Sequence, residues 1–269
     1  MEMRAQTTEL LSRIRSQAPL VHNITNFVVM NSSANILLAV GASPVMAHSP
    51  DEVEEMTAMA GALVLNIGTL QKDWVDAMVL AARAANDAGV PVILDPVGAG
   101  ATKLRTGSVR RIMDEASVSV LRGNASEVLS LGSDEVKTKG VDSSLSMSDA
   151  VVDAARQMAR EEGCVIAISG EEDCVTDGEQ VFRVKNGHPL MTRVTGTGCG
   201  LSAVTGAFCA VADGDLAEAT AAAFGFYGLC GELAAESSGG PASFEVAFLD
   251  RLYAAGERDV DGLLRVEQA

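Results

Sequence analysis

Aromatic residues are scarce in this chain of 269 residues: one Trp, two Tyr and seven Phe, 4% in all. A core cannot rest on ring packing here. It must come from aliphatic side chains and from close helix-to-sheet contacts across small residues, and hydrophobic residues make up 48% of the chain. Positive charge is also short. Lys and Arg total 20 against 36 for Asp and Glu, a formal charge of -16. That balance argues against nucleic acid and anionic membrane as partners, since both demand a basic surface. An anionic small molecule stays open, held by local dipoles and a few arginines. Histidine occurs only at His22, His48 and His188, and none sits in a signature of a catalytic base. The five cysteines, Cys164, Cys174, Cys199, Cys209 and Cys230, are odd in number and form no CxxC pair. They read as reduced thiols of a cytoplasmic protein. The start, "MEMRAQTTELLSRIRSQAP", has charges throughout and lacks the apolar core of a signal peptide. Neither GxxxxGK[ST] nor GxGxxG occurs, so those two phosphate-loop patterns are excluded. No internal repeat or low-complexity linker breaks the chain, and a single domain over 1–269 is expected.

Short apolar runs recur at "ALVLNIG" (62–68), "VPVILDP" (90–96), "VSVLRGN" (118–124) and "CVIAISG" (164–170). Each has strand length and ends in Gly, Asn or Asp-Pro. Helical patterns separate them, over Asp73 to Ala88 and Met147 to Glu161. Alternation of this kind predicts an α/β fold, a mostly parallel sheet between two helical layers. The stretch "DCVTDGEQVFRVKNG" (173–187) departs from it and predicts a hairpin around Asp177-Gly178, at one edge of the sheet. From Cys199 to Ala255 the pattern is helical, with stops near Gly214 and at Gly239-Gly240-Pro241. Phe27 to Ala47 carries no charge and approaches membrane length. Its Asn, Ser, Gly and Pro residues favour a buried helix and its exit turn. The polar stretch Asp134 to Asp149 reads as a surface loop.

In open α/β sheets, ligands sit at the carboxyl ends of the strands. Those ends hold Asn66 and Gly68, Asp95 and Pro96, Arg122 and Asn124, and Ser169 and Gly170. The most suggestive stretch is "VTGTGCGLSAVTGAF", Val194 to Phe208, with glycines at 196, 198 and 200. Alternating glycines before a helix can turn successive N–H groups inward as an anion nest, or they can form a tight packed turn. Cys199 lies between the last two glycines. At a helix N-terminus its thiol pKa is expected to fall. It is either a reactive thiol or a small buried side chain. Asp95, before two further glycines, suits Mg2+ or an Asp-Pro turn. Glu127 suits the same metal or a cap formed with Asn124. Together, two carboxylates, Arg122 and the glycine nest on one sheet edge match the needs of phosphoryl transfer.

The segments "VHNITNFVVMNSSANILLAVGASPVMAHSPDEVEEM", "GALVLNIGTL", "ILDPVGAGAT", "RGNASEV" and "VTGTGCGLSA" resemble the hydroxyethylthiazole kinase family over nearly the full length. The resemblance implies a three-layer αβα ribokinase-like fold. It implies phosphorylation of 4-methyl-5-(2-hydroxyethyl)thiazole by ATP with Mg2+ in thiamine salvage. It also implies a homotrimer with the thiazole pocket between subunits. By position it makes Met46 and Gly196 contacts to the alcohol, with Asn26 and Gly68 lining the same pocket. It makes Arg122 and Ser169 contacts to ATP, some members having Thr in place of the serine. Asp95 and Glu127 would hold Mg2+, directly or through water. Gly196, Thr197 and Gly198 would form the anion hole. Cys199 would face the substrate hydroxyl, where most ribokinase-like enzymes carry an aspartate base. Another small-alcohol kinase or an ATP-dependent dehydratase of this fold would be expected to show Asp at that position. A thiol enzyme would need no ATP, and a pure binding protein would show no turnover.

Overall fold

The structure, a computed structural model, describes residues 2–132 and 148–269. The chain opens with helix α1 (Glu2–Gln17), strand β1 (Leu20–Ile24) and helix α2 (Met30–Val40). Then come β2 (Ser43–Val45), α3 (Val53–Ala58), β3 (Ala62–Asn66), α4 (Lys72–Ala88) and β4 (Val92–Asp95). They are followed by α5 (Lys103–Glu115), β5 (Val120–Asn124) and α6 (Ala125–Leu129). Most of the stretch read as a surface loop lies outside the described residues. Beyond it come α7 (Asp149–Glu162), β6 (Val165–Ser169), β7 (Asp173–Thr176) and β8 (Val181–Val184). A short 3-10 turn (Pro189–Arg193) leads to α8 (Thr197–Cys209), α9 (Leu216–Glu236), α10 (Pro241–Ala254), α11 (Glu257–Leu263) and β9 (Val266–Gln268).

The nine strands among the described residues form one sheet in the order β2-β1-β3-β4-β5-β6-β7-β8-β9. The pairs from β2 to β6 are parallel, and β6 to β9 are antiparallel. The β7–β8 hairpin is present, and β9 covers it as the true edge. Strand pleating divides the core. Val21, Val64, Ile93 and Val120 face one helical layer with α8 and α9. Leu63, Leu65, Leu94 and Leu121 face the other with α4 and α7. Helices α8 and α9 are apolar nearly all round, as a helix enclosed between sheet and outer helices must be. The uncharged 27–47 stretch is α2, its left-handed cap Gly41 at φ 107°, and β2. Among the described residues no helix is long and apolar enough to cross a membrane.

Candidate active site

Asn66, Asp95 and Ser169 end β3, β4 and β6, Arg122 lies two residues before the end of β5, and hydrogen bonds join the four into one network on the face that receives α8. Asp95 is buried. Its Oδ2 accepts from Asn66 Nδ2 at 2.7 Å and from Ser202 Oγ at 2.7 Å. Asn66 Oδ1 accepts from Asn26 Nδ2 at 2.8 Å and from the Gly68 N–H at 3.0 Å. Asn26 Nδ2 also reaches Cys199 Sγ at 3.5 Å. The buried guanidinium of Arg122 stands 3.7 Å from the same Oδ2. It donates to the Gly198 carbonyl at 2.8 Å and to Ser169 Oγ at 2.9 Å. Its Nε is buried without a partner among the described residues. Gly68 must be glycine, because a Cβ there would stand 2.5 Å from Asn26 Nδ2.

Helix α8 starts in the middle of this network. Gly196 is its N-cap in the left-handed region, φ 86°, and a Cβ there would meet Val29 Cγ1 at 2.8 Å. The first turn has no intrahelical acceptors for the N–H groups of Thr197, Gly198 and Cys199, and the helix dipole adds positive potential there. Tyr227, buried on α9, donates its hydroxyl to the Thr197 carbonyl at 2.9 Å. Gly200 leaves room for that ring: a Cβ would stand 2.5 Å from its oxygen. Next to this turn opens a cleft of about 690 Å³ lined by Arg122, Ser169, Asp173, His188, Thr197 and Tyr227, among others.

One expectation changes at this point, and one alternative is filled. The Cys199 thiol is raised, not lowered. Burial is the largest cause, the nearby Asp95 charge adds to it, and the amides of Asn66 and Asn26 and the Arg122 charge oppose it. A helix N-terminus favours thiolate only where the sulfur is solvated, and here it is mostly enclosed beside a carboxylate. Glu127 forms the capping box that the sequence left open. Its Oε2 accepts from the Asn124 N–H at 3.0 Å and its Oε1 from the Gly98 N–H at 2.8 Å. Burial also pushes the Asp95 carboxyl up, with Arg122 as the main opposing influence.

The network gathers Asn26, Gly68, Asp95, Arg122, Ser169, Gly198 and Cys199. Gly196 and Thr197 belong to the helix start. Glu127 joins through Gly98. Met46 stands apart, half-buried after edge strand β2, and no hydrogen bond among the described residues links it to the rest. Ser202 and Tyr227 were not singled out from sequence. Ser202 lies three residues after Cys199, on the same helix face. Tyr227 is one of two tyrosines and sits in a run of small apolar residues, where a buried hydroxyl demands a partner.

Asp173, also in the cleft wall, shows a measurable consequence of burial. Desolvation pushes its carboxyl up to about 7, against the Gly170 N–H and the Arg122 charge and with the help of Glu172. The ordinary value is 3.8. Between these values only the folded state keeps the proton, so this group's contribution to stability falls as pH rises through that window and stays low above it. Asp173→Asn is expected to raise the thermal midpoint at about pH 8 and to leave it nearly unchanged at about pH 4. Each kcal/mol gained moves the midpoint by roughly 2–4 °C in a chain of this size. Calorimetry at both pH values checks this, and equal shifts would contradict it.

A family-wide profile described as the hydroxyethylthiazole kinase family matches residues 11–257. A hydroxyethylthiazole kinase from Desulfotalea psychrophila is 55% identical over 261 residues, covering 97% of this chain and 95% of that one. Another, from Desulfosudis oleivorans, is 53% identical over 269 residues, covering 99% and 97%. The solved structure of a hydroxyethylthiazole kinase from Pyrococcus horikoshii is similar at a TM-score of 0.90 and 44% identity, over 98% of each chain. A ribokinase-like superfamily protein from Enterococcus faecalis has a TM-score of 0.63 at 13% identity, over 95% of this chain and 84% of its own, and shares the fold. With the fold, the sheet-edge network and the glycine-flanked helix start all in place, these matches show that the chain belongs to the hydroxyethylthiazole kinase family.

Proposed function

We propose that this chain transfers the γ-phosphoryl group of ATP to the hydroxyl of 4-methyl-5-(2-hydroxyethyl)thiazole, giving the phosphate ester in thiamine salvage. The observation that carries the reading is Arg122, whose guanidinium joins the first turn of α8 at Gly198 to Ser169 in the cleft wall. A nucleotide in that cleft would lay its phosphates along Arg122 and Ser169 towards the helix N-terminus. The N–H groups of Thr197, Gly198 and Cys199 would stabilise the charge on the transferred group. The alcohol would approach from the opposite side, past Asn26, Gly68 and Met46, with its hydroxyl at Cys199.

The residues present fit a divalent cation. Mg2+ takes one or two carboxylates and keeps water and phosphate oxygens as its other ligands. Among the described residues no three potential metal-binding side chains cluster, so a cage made of protein alone is absent. Both donors to Asp95 converge on Oδ2, which leaves Oδ1 for an ion or its water. Glu127 keeps a second lone pair on each oxygen. Bound there, Mg2+ would neutralise phosphate charge in the transfer.

The reading extends to a cytoplasmic, single-domain enzyme acting as a homotrimer. One continuous sheet supports a single domain. Exposed Phe27, Val28 and Leu38 in the uncharged segment that also holds Met46 support burial of part of this segment against another copy. Two measurements on one preparation test the reading. ADP release from ATP and Mg2+ is expected to depend on added alcohol, and the active species is expected to sediment as a trimer. ADP release that ignores the alcohol overturns the activity, and a fully active monomer overturns the assembly.

A further inference from the structure

Arg105 has no place in the roles assigned so far, yet its guanidinium makes three hydrogen bonds at the edge of the site. Nη1 donates to the Val97 carbonyl at 2.6 Å and to the Ile67 carbonyl at 3.2 Å. Nη2 donates to the Gly68 carbonyl at 2.8 Å. Among the described residues no carboxylate pairs with it. Its position is the third residue of α5, a helix whose first turn is fixed by the Thr102 side chain accepting from the Arg105 N–H at 3.2 Å. A cation in the first turn opposes the helix dipole, so helix stability does not explain an arginine there. Three carbonyls in reach of one planar fork do explain it.

The carbonyls belong to two different loops. Ile67 and Gly68 follow Asn66 at the end of β3, and Gly68 packs against Asn26 on the acceptor side. Val97 follows Asp95 at the end of β4 and precedes Gly98, whose N–H is held by Glu127. The Ile67 N–H adds one more link by donating to the Asp95 carbonyl at 3.3 Å. Gly98 has φ 73°, and a Cβ there would stand 2.9 Å from Arg105 Cδ, so the loop is shaped around this side chain.

We propose that Arg105 is a positioning residue for phosphoryl transfer: it clamps the acceptor-side loop, Ile67–Gly68, to the loop that follows Asp95 and that Glu127 holds at Gly98. The clamp sets the spacing between the alcohol and the groups that handle the phosphates. It leaves the nucleotide cleft alone, because none of the cleft-lining residues is among its partners. The inference rests on the kinase reading above.

The test is steady-state kinetics of R105M and R105K beside the wild type, with ADP and phosphate ester both quantified and thermal midpoints recorded. R105M is expected to lower alcohol-dependent turnover by about 10-fold to 10²-fold, the range for a misplaced reactant. It is also expected to raise KM for the alcohol, keep KM for ATP within about twofold, and lower the ester formed per ADP. R105K restores part of the loss, since an ammonium can hold one or two carbonyls but cannot fork across three. Should R105M not fold, R105K carries the test with the same pattern at smaller size. Wild-type kinetics in both variants, or a KM for ATP that rises in step with that for the alcohol, overturns the clamp. A wild-type enzyme that forms no ester overturns the kinase reading and the clamp with it.

Discussion

Asp95→Ala is expected to lose both stability and turnover, and to cost more stability than any other single change in the network. Three donors lose their acceptor or counter-charge together: Asn66 Nδ2, Ser202 Oγ and the Arg122 guanidinium. Arg122 is the costly one. It is buried, its Nε has no partner among the described residues, and its remaining bonds go to a neutral carbonyl and two hydroxyls. Removing one partner of a buried ion pair costs about 3–5 kcal/mol, because the other charge stays behind. At roughly 2–4 °C per kcal/mol, the midpoint should fall by roughly 6–20 °C. Asp95→Asn separates the two losses. It keeps the volume and an oxygen for Ser202 and Asn66, so most of the midpoint should survive. It removes the charge that would hold Mg2+, so turnover should still fall by about 10²-fold or more. Thermal melts beside initial rates check the pair. An Asp95→Asn enzyme with wild-type rate would remove Asp95 from the chemistry.

Much of this arrangement is legible in the sequence, and the illegible parts have physical reasons. The four central strands announce themselves because each opens on an apolar run and keeps its polar residues, such as Asn66, Asp95, Arg122 and Ser169, towards its carboxyl end. Strand β1 does not, because "LVHNI" buries His22 and Asn23. His22 is tolerated there because Thr57 Oγ1 and the Ala47 carbonyl satisfy its two ring nitrogens, each at 2.8 Å. Those partners lie 35 and 25 residues away, beyond any local pattern. Strand β2 is three residues with Pro44 in the middle, permitted only because it is an edge. The helix start at Gly196 is readable from glycine spacing alone. The charge state of Cys199 is not, because it depends on Asp95, 104 residues earlier in the chain, and on how deeply α8 sits against the sheet. Arg105 is invisible for a related reason: its partners are carbonyls, which every residue carries.

Gly198→Val is expected to abolish turnover more completely than any replacement of Cys199. The N–H groups at the start of α8 are useful only if a phosphoryl group can come within hydrogen-bonding distance of the backbone. Glycine at 198 leaves that approach open; a Cβ there has room, at 3.4 Å from Arg122 Nη1, so valine is expected to act by setting its two methyl groups over the exposed backbone that the phosphoryl group must reach. Loss of a single such donor costs about 10²–10³ in rate, so blocking the approach to several should exceed that. Cys199 has a smaller part. Its thiol is raised by burial and by Asp95, so it stays protonated and cannot accept the alcohol proton without first losing its own. In a loose transition state the alcohol needs little prior deprotonation, so orienting it is enough. Cys199→Asp should keep turnover, since it supplies an acceptor in the same place. Cys199→Ser should lose about 10²-fold, the low end for one acid–base group. The direct test is the single-turnover rate of phosphoryl transfer from saturating ATP to the thiazole alcohol in Cys199→Asp, Cys199→Ser and Gly198→Val side by side. Transfer at the start of α8 predicts that both Cys199 variants stay active and that Gly198→Val makes no product. Wild-type transfer by Gly198→Val, with both Cys199 variants inactive, would contradict it.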